Sequence, residues 1–154
     1  TSTAPGELQN HLGIAIAQRI YRAYLDLFGS SRWKQLASQG AVPQTLLWAS
    51  TGVKDPKASA TLYIEALAAP NTINTMPEKT LQAFAEHGEL KQSMSTDSTE
   101  GEKLLSEFAK AGIDINALAL QLQRDGADAF VKSWQQLLQR IKTKRASTSS
   151  LAGS

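Results

Sequence analysis

"LLWASTGVKDP", residues 46–56, passes from a short apolar run straight into small hydroxyl residues, a glycine, a lysine and a proline. The run is too short for a helix and lacks clean alternation, which suits a strand buried on both faces of a parallel sheet. On its upstream side, Leu8, Leu12, Ile16, Ile20, Tyr24 and Leu27 recur at steps of three or four. That spacing predicts a helix over 7–28, ended by Gly29. A shorter helix is expected from Ser31 to Gln39, stopping at Gly40. On the downstream side, "ASATLYIEAL" reads as a short helix closed by Pro70, and "NTINTMP" offers β-branched Thr72, Ile73 and Thr75 for a second strand.

Thr75 and Glu78 have capping-box spacing with Pro77 in the first turn, so a helix is expected to run through Leu81 and Phe84 to Gly88. Residues 91–102 are polar and read as a loop with a helix start near its end. Leu104, Leu105 and Phe108 continue that helix, "AGID" breaks it, and Asp114 is an N-cap candidate. Ile115, Leu118 and Leu122 form one more stripe, interrupted at Gly126, and Phe130, Trp134, Leu137, Leu138 and Ile141 form the last. Residues 146–154 read as a disordered tail.

The order helix, strand, helix, strand, helix, followed by further helices, is an α/β pattern with crossovers long enough for parallel strands. Two short strands cannot protect both faces and both edges of a sheet, so the pattern implies neighbouring strands outside the chain. The first residue, Thr1, is not a methionine, which fits a piece of something longer.

Composition narrows the function classes. The 154 residues are 42% hydrophobic and 19% charged, in the range of one soluble domain with its own core. No window approaches about 20 uninterrupted apolar residues, so no membrane-spanning helix is expected. "TSTAPGELQN" has neither the basic start nor the apolar middle of a signal peptide. Cysteine is absent, which excludes disulfides and thiolate catalysis and favours a cytoplasmic setting. A net charge of +2 is too small to argue for nucleic acid, and part of it sits at Lys142, Lys144 and Arg145.

The chemistry-bearing candidates cluster after the first strand. Ligands of α/β folds bind at the carboxyl ends of strands, where Ser50 and Thr51 hydroxyls can donate to a phosphate, Gly52 permits close backbone approach and Lys54 supplies a point charge. Taken alone the pattern is weak, because a Ser-Thr-Gly turn before a surface lysine occurs in many loops that hold no ligand. The second strand end offers Asn71, Asn74 and Thr75, whose turn and cap roles explain them equally well. His11 and His87 have no metal-ligand spacing, and Asp26, Asp55, Glu65 and Glu86 form no evident carboxylate pair. Trp33, Trp48 and Trp134 read as core residues.

"LLWASTGVKDP" followed by "TLYIEALAAPNTINTMPEKTLQAFAEHG" resembles the transaldolases, in the subgroup that includes plant-type enzymes and those fused to glucose-phosphate isomerase. "LGIAIAQRIYRAYLDLF", "RWKQLASQGA" and "AGIDINALALQLQRDGADAFVKSWQQLL" extend the resemblance over about residues 7–141. It implies that residues 1–145 are the C-terminal portion of a (β/α)₈ barrel, about two strands of it, with C-terminal helices. It also implies transfer of a three-carbon dihydroxyacetone unit between sugar phosphates of the pentose phosphate pathway, namely fructose 6-phosphate, sedoheptulose 7-phosphate, erythrose 4-phosphate and glyceraldehyde 3-phosphate. A lysine Schiff base carries the reaction, with no metal or other cofactor.

In the same resemblance Ser50 corresponds to the serine at the end of the seventh strand and Lys54 to a basic residue near the substrate phosphate. Thr51, Gly52 and Asn74 would shape the rim. The imine-forming lysine and its acid–base carboxylates belong to earlier strands, and Lys54, Lys57 and Lys79 do not match them. No catalytic residue is therefore expected in this chain, which should be inactive by itself and require the missing N-terminal barrel segment as its partner. The alternative is a stand-alone, mainly helical binding or assembly module without catalysis, suggested by the many amphipathic stretches.

Overall fold

A computed structural model describes residues 5–151. The chain divides after Gly112 into two compact units.

The first unit is built around helix α1, Leu12–Gly29. Helix α2 (Ser31–Ser38) follows, then strand β1 (Leu46–Trp48), helix α3 (Leu62–Ala66), strand β2 (Thr72–Asn74), helix α4 (Glu78–His87) and helix α5 (Thr99–Lys110). The first helix starts later than its periodicity predicts. Gly6–Leu8 form a 3₁₀ turn, and Asn10 takes φ 66°, a left-handed conformation that an α-helix cannot contain. Ser30 separates α1 from α2 and caps the latter, its Oγ accepting from the Trp33 backbone N–H at 3.2 Å.

β1 and β2 pair in parallel, with Leu46 opposite Thr72, Leu47 opposite Ile73 and Trp48 opposite Asn74. Trp48 enters a core with Ala17, Tyr21, Leu67 and Met94, and Leu46 packs against its edge. The expected burial of both faces is not observed. Leu47 and Ile73, directly paired, are each 48% exposed. Alternation along a strand sends Leu47 away from Trp48, and the core contacts lie on the Trp48 side alone. Across α1 from the sheet side, Ala15, Leu105 and Phe108 are buried where α5 docks. Arg19 forks onto Glu102 with two contacts of 2.6 Å at the edge of that junction. This half-exposed pair contributes little to stability, because water screens it.

The capping box at α4 does not form. Pro77 itself occupies the N-cap position, and the Thr75 hydroxyl donates to the Trp48 carbonyl oxygen at 3.3 Å instead. The end of β2 thus competes successfully for the side chain that local spacing assigns to the helix.

Among the described residues, the second unit is one helix, α6 (Ile115–Leu151). Asp114 caps it as its sequence position suggests, accepting from the backbone N–H groups of Asn116 at 2.9 Å and Ala117 at 3.0 Å. Gly126 does not interrupt it. One interior glycine costs about 1 kcal/mol relative to alanine, too little to break a helix with good formers on both sides. Trp134 is 60% exposed within α6, contrary to its assignment as a core residue. Of the tail expected at 146–154, residues 152–154 lie outside the described residues. Among the described residues, no helix is long and apolar enough to cross a membrane.

Candidate functional site

The carboxyl ends of β1 and β2 lie side by side, because parallel pairing in register carries Trp48 to Asn74 and the Thr75 N–H to the Trp48 carbonyl oxygen at 2.9 Å. The loop after each strand therefore starts from a common edge. Ser50, the second residue past β1, is exposed and takes φ 59°. Left-handed backbone costs a residue with a Cβ roughly 1 kcal/mol, so this conformation persists only where its neighbours fix it. Ser50→Gly is accordingly expected to stabilise the chain by about 0.5–1 kcal/mol, seen as a higher urea midpoint. An unchanged or lower midpoint would show that the serine side chain itself supports the turn.

Thr51 turns the other way. It is 5% exposed, and its hydroxyl donates to Asn74 Oδ1 at 2.6 Å, with the Thr75 carbonyl oxygen a second acceptor at 3.1 Å. The residue proposed from sequence as an anion donor is thus committed to joining the two strand ends. Asn74 Nδ2 is buried and has no partner among the described residues, and the same holds for Trp48 Nε1. Such orphaned groups are uncommon in folded proteins.

Gly52 serves packing. A Cβ there would lie 3.1 Å from Pro77 Cγ and 3.7 Å from Thr80 Oγ1, so the glycine lets the β1 loop press against the start of α4. Lys54 is exposed and forms no ion pair among the described residues. The following Asp55 anchors the loop. Its carboxylate accepts from Asn10 Nδ2 at 2.8 Å and from the Lys57 backbone N–H at 2.9 Å. The Asn10 amide first, and then the Lys57 N–H, hold the Asp55 carboxyl below the ordinary aspartate range.

A cavity of about 280 Å³ opens beside this edge, bounded by Gly13, Ile16 and Ile20 of α1, by Tyr63 and Leu67, and by Trp48 through Thr51. Ser50 and Thr51 share it, whereas Gly52, Lys54 and Asn74 are not in its wall. The structure thus brings Ser50, Thr51 and Asn74 to one edge and leaves Lys54 on the exposed loop beyond. Sequence reading missed the Thr51–Asn74 tie and the Asn10–Asp55 clamp. Asx and hydroxyl residues near turns were the available signal, but pairs 23 and 45 residues apart leave no local periodicity. Among the described residues, no three His, Asp or Glu side chains gather as metal ligands.

The family model described as "Transaldolase/Fructose-6-phosphate aldolase" matches residues 2–141. The chain belongs to the transaldolase/fructose-6-phosphate aldolase family. Among curated relatives, it is 45% identical over 137 residues to a transaldolase of Saccharopolyspora erythraea, covering 88% of this chain and 37% of that one. A transaldolase of Mycolicibacterium smegmatis is 45% identical over 132 residues, 85% of this chain and 36% of the relative. One from Neisseria meningitidis is 40% identical over 137 residues, 89% of this chain and 39% of the relative. The chain therefore spans a little over a third of the length of these transaldolases. The helix-rich α/β fold with two parallel strands is consistent with part of a barrel of this family.

Proposed function

We propose that this chain is the C-terminal portion of a transaldolase and supplies part of its sugar-phosphate site. The observation that carries the reading is the shared edge of β1 and β2 in a chain that matches the family over residues 2–141. Strand carboxyl ends are where (β/α)₈ barrels build their sites, and a phosphate is commonly held by loops after the last two strands. In this reading Ser50 donates its hydroxyl to a phosphate oxygen, and Lys54 adds positive charge from the exposed loop. Thr51, Gly52 and Asn74 shape the rim.

The bond-breaking chemistry belongs to a lysine outside this chain. That amine attacks the carbonyl of a ketose phosphate such as fructose 6-phosphate or sedoheptulose 7-phosphate and forms an imine with loss of water. A base takes the adjacent hydroxyl proton, the carbon–carbon bond breaks with departure of a first aldose phosphate, and the protonated imine takes up the released electron pair. The retained dihydroxyacetone unit then adds to the carbonyl of an acceptor such as glyceraldehyde 3-phosphate or erythrose 4-phosphate, and water hydrolyses the imine to free the lysine. Gripping the phosphate holds the ketose in the site equally before and during the reaction, a contribution that lowers KM. The setting is the cytoplasm.

A chimera tests this. Residues 7–141 replace the matching segment of the Saccharopolyspora erythraea relative, and both chimera and isolated chain are treated with fructose 6-phosphate and borohydride. The chimera is expected to gain the mass of one reduced dihydroxyacetone adduct and to transfer the unit to an aldose phosphate, while the isolated chain keeps its mass. A folded chimera without adduct, or an adduct on the isolated chain, overturns the proposal.

A further inference from the structure

We infer that Thr51 is a positioning residue for sugar-phosphate binding, its buried hydroxyl tying the β1 end to the β2 end and so holding Ser50 in the conformation that meets the phosphate. This rests on the reading of Ser50 as a phosphate ligand given above.

Ser50 is left-handed at φ 59° and exposed, as is Ala49 before it. An exposed non-glycine residue in that region relaxes to negative φ unless both sides are fixed. On one side Trp48 is fixed. Its ring is in the core and its carbonyl oxygen accepts from the Thr75 N–H at 2.9 Å and the Thr75 hydroxyl at 3.3 Å. On the other side the restraint is Thr51, through its 2.6 Å bond to Asn74 Oδ1 and the Thr75 carbonyl at 3.1 Å. Gly52 follows, pressed to within 3.1 Å of Pro77 at the position of a would-be Cβ. Ala49 and Ser50 thus form a short arch between two pinned residues.

The hydroxyl is the part of Thr51 that matters. Asn74 Nδ2 already lacks a partner, so removing the Thr51 hydroxyl leaves the whole Asn74 amide unpaired in a buried place. The pin on the C-terminal side of Ser50 then opens. Valine preserves the shape of threonine and removes only the hydrogen bond, whereas serine keeps the hydrogen bond and removes only a methyl group.

The test uses the chimera described above, with steady-state kinetics on fructose 6-phosphate and on unphosphorylated fructose. Thr51→Val is expected to raise KM for the phosphorylated ketose about tenfold, the size of one lost hydrogen bond to a charged group. Its kcat is expected to stay within about twofold, and kcat/KM for fructose to be unaffected, because only phosphate binding is disturbed. Thr51→Ser is expected to restore KM. Ser50→Ala is run beside them. A raised KM in Ser50→Ala with a wild-type KM in Thr51→Val overturns the inference and leaves the phosphate reading standing. A wild-type KM in Ser50→Ala overturns the phosphate reading and the inference with it. Should Thr51→Val not fold, Asn74→Ala cuts the same tie from the other strand and carries the same expected rise, and a wild-type KM there overturns the inference. Equal losses on fructose and fructose 6-phosphate in Thr51→Val would show general structural damage and also overturn it.

Discussion

Tyr21→Ala is expected to destabilise the first unit by about 3–5 kcal/mol, against about 1 kcal/mol for Tyr21→Phe. Tyr21 is 1% exposed and is the largest fully buried side chain among the described residues. Its ring fills the space between Ala17, Trp48, Leu67 and Met94 and stacks on Tyr24 with centroids 6.3 Å apart. Its hydroxyl donates to the Pro70 carbonyl oxygen at 3.2 Å, two residues before β2. Burial first, and then the neighbouring Tyr24, pushes the phenol upward from its ordinary range. Alanine leaves a cavity in the cluster that joins α1 to Trp48, Leu67 and Met94. A domain of this size has a margin of about 5–15 kcal/mol, so the loss removes a large fraction of it. Urea denaturation followed by far-ultraviolet circular dichroism measures both variants. A Tyr21→Ala midpoint no lower than that of Tyr21→Phe would show that the ring does not hold the core.

The consequence reaches the candidate site, because Tyr21 fixes the segment that delivers Asn74 to its place beside Thr51. Trp48 is shared by both: its ring packs on the Tyr21 cluster and its carbonyl oxygen pins Thr75. Stability and site geometry are therefore coupled through one residue of β1.

Much of this was legible in the sequence where the signal is local. The strand at Leu46–Trp48, the stripe of α1 and the Asp114 cap follow from periodicity and near-neighbour chemistry, and the structure contains all three. Non-local competition defeated the same rules elsewhere. Thr75 has the spacing of a helix cap, yet a strand carbonyl 27 residues earlier takes its hydroxyl. Met94 lies in a run of polar residues that reads as solvated, but it is buried against the core, and its backbone N–H donates to the Ala68 carbonyl oxygen at 2.7 Å. The site divides in the same way. Ser50, Thr51 and Asn74 were found as polar residues at strand ends. Which hydroxyl faces outward and which is spent on the neighbouring strand depends on register, and register is a property of two segments at once. The open apolar pair Leu47–Ile73 was hidden for the same reason, since an apolar run alone does not say whether one face or two are covered.

Gly101→Leu is expected to cost about 3 kcal/mol by prising α5 off α1. Helix propensity alone argues the opposite, since glycine within a helix is about 1 kcal/mol worse than alanine. The packing decides it. Gly101 is buried in the first turns of α5, and a Cβ there would lie 2.7 Å from Gln18 Oε1, 3.1 Å from the Ala15 carbonyl oxygen and 3.2 Å from Gln18 Cβ. The end of Gln18 can swing aside, but the Ala15 carbonyl is helix backbone and Ala15 is itself fully buried, so α1 cannot yield there. Gly101→Ala sets the propensity gain against this contact and should leave stability nearly unchanged. Leucine adds three further carbons with no room to hold them. Relief then requires α5 to move outward, which uncovers Leu105 and Phe108 and separates Arg19 from Glu102. Amide hydrogen exchange distinguishes this from general unfolding: protection should fall first across 99–110 and remain higher in β1 and β2, where the bonds do not involve α5. A Gly101→Leu chain with wild-type protection in α5 would mean that the α1–α5 contact is not as close as the glycine implies.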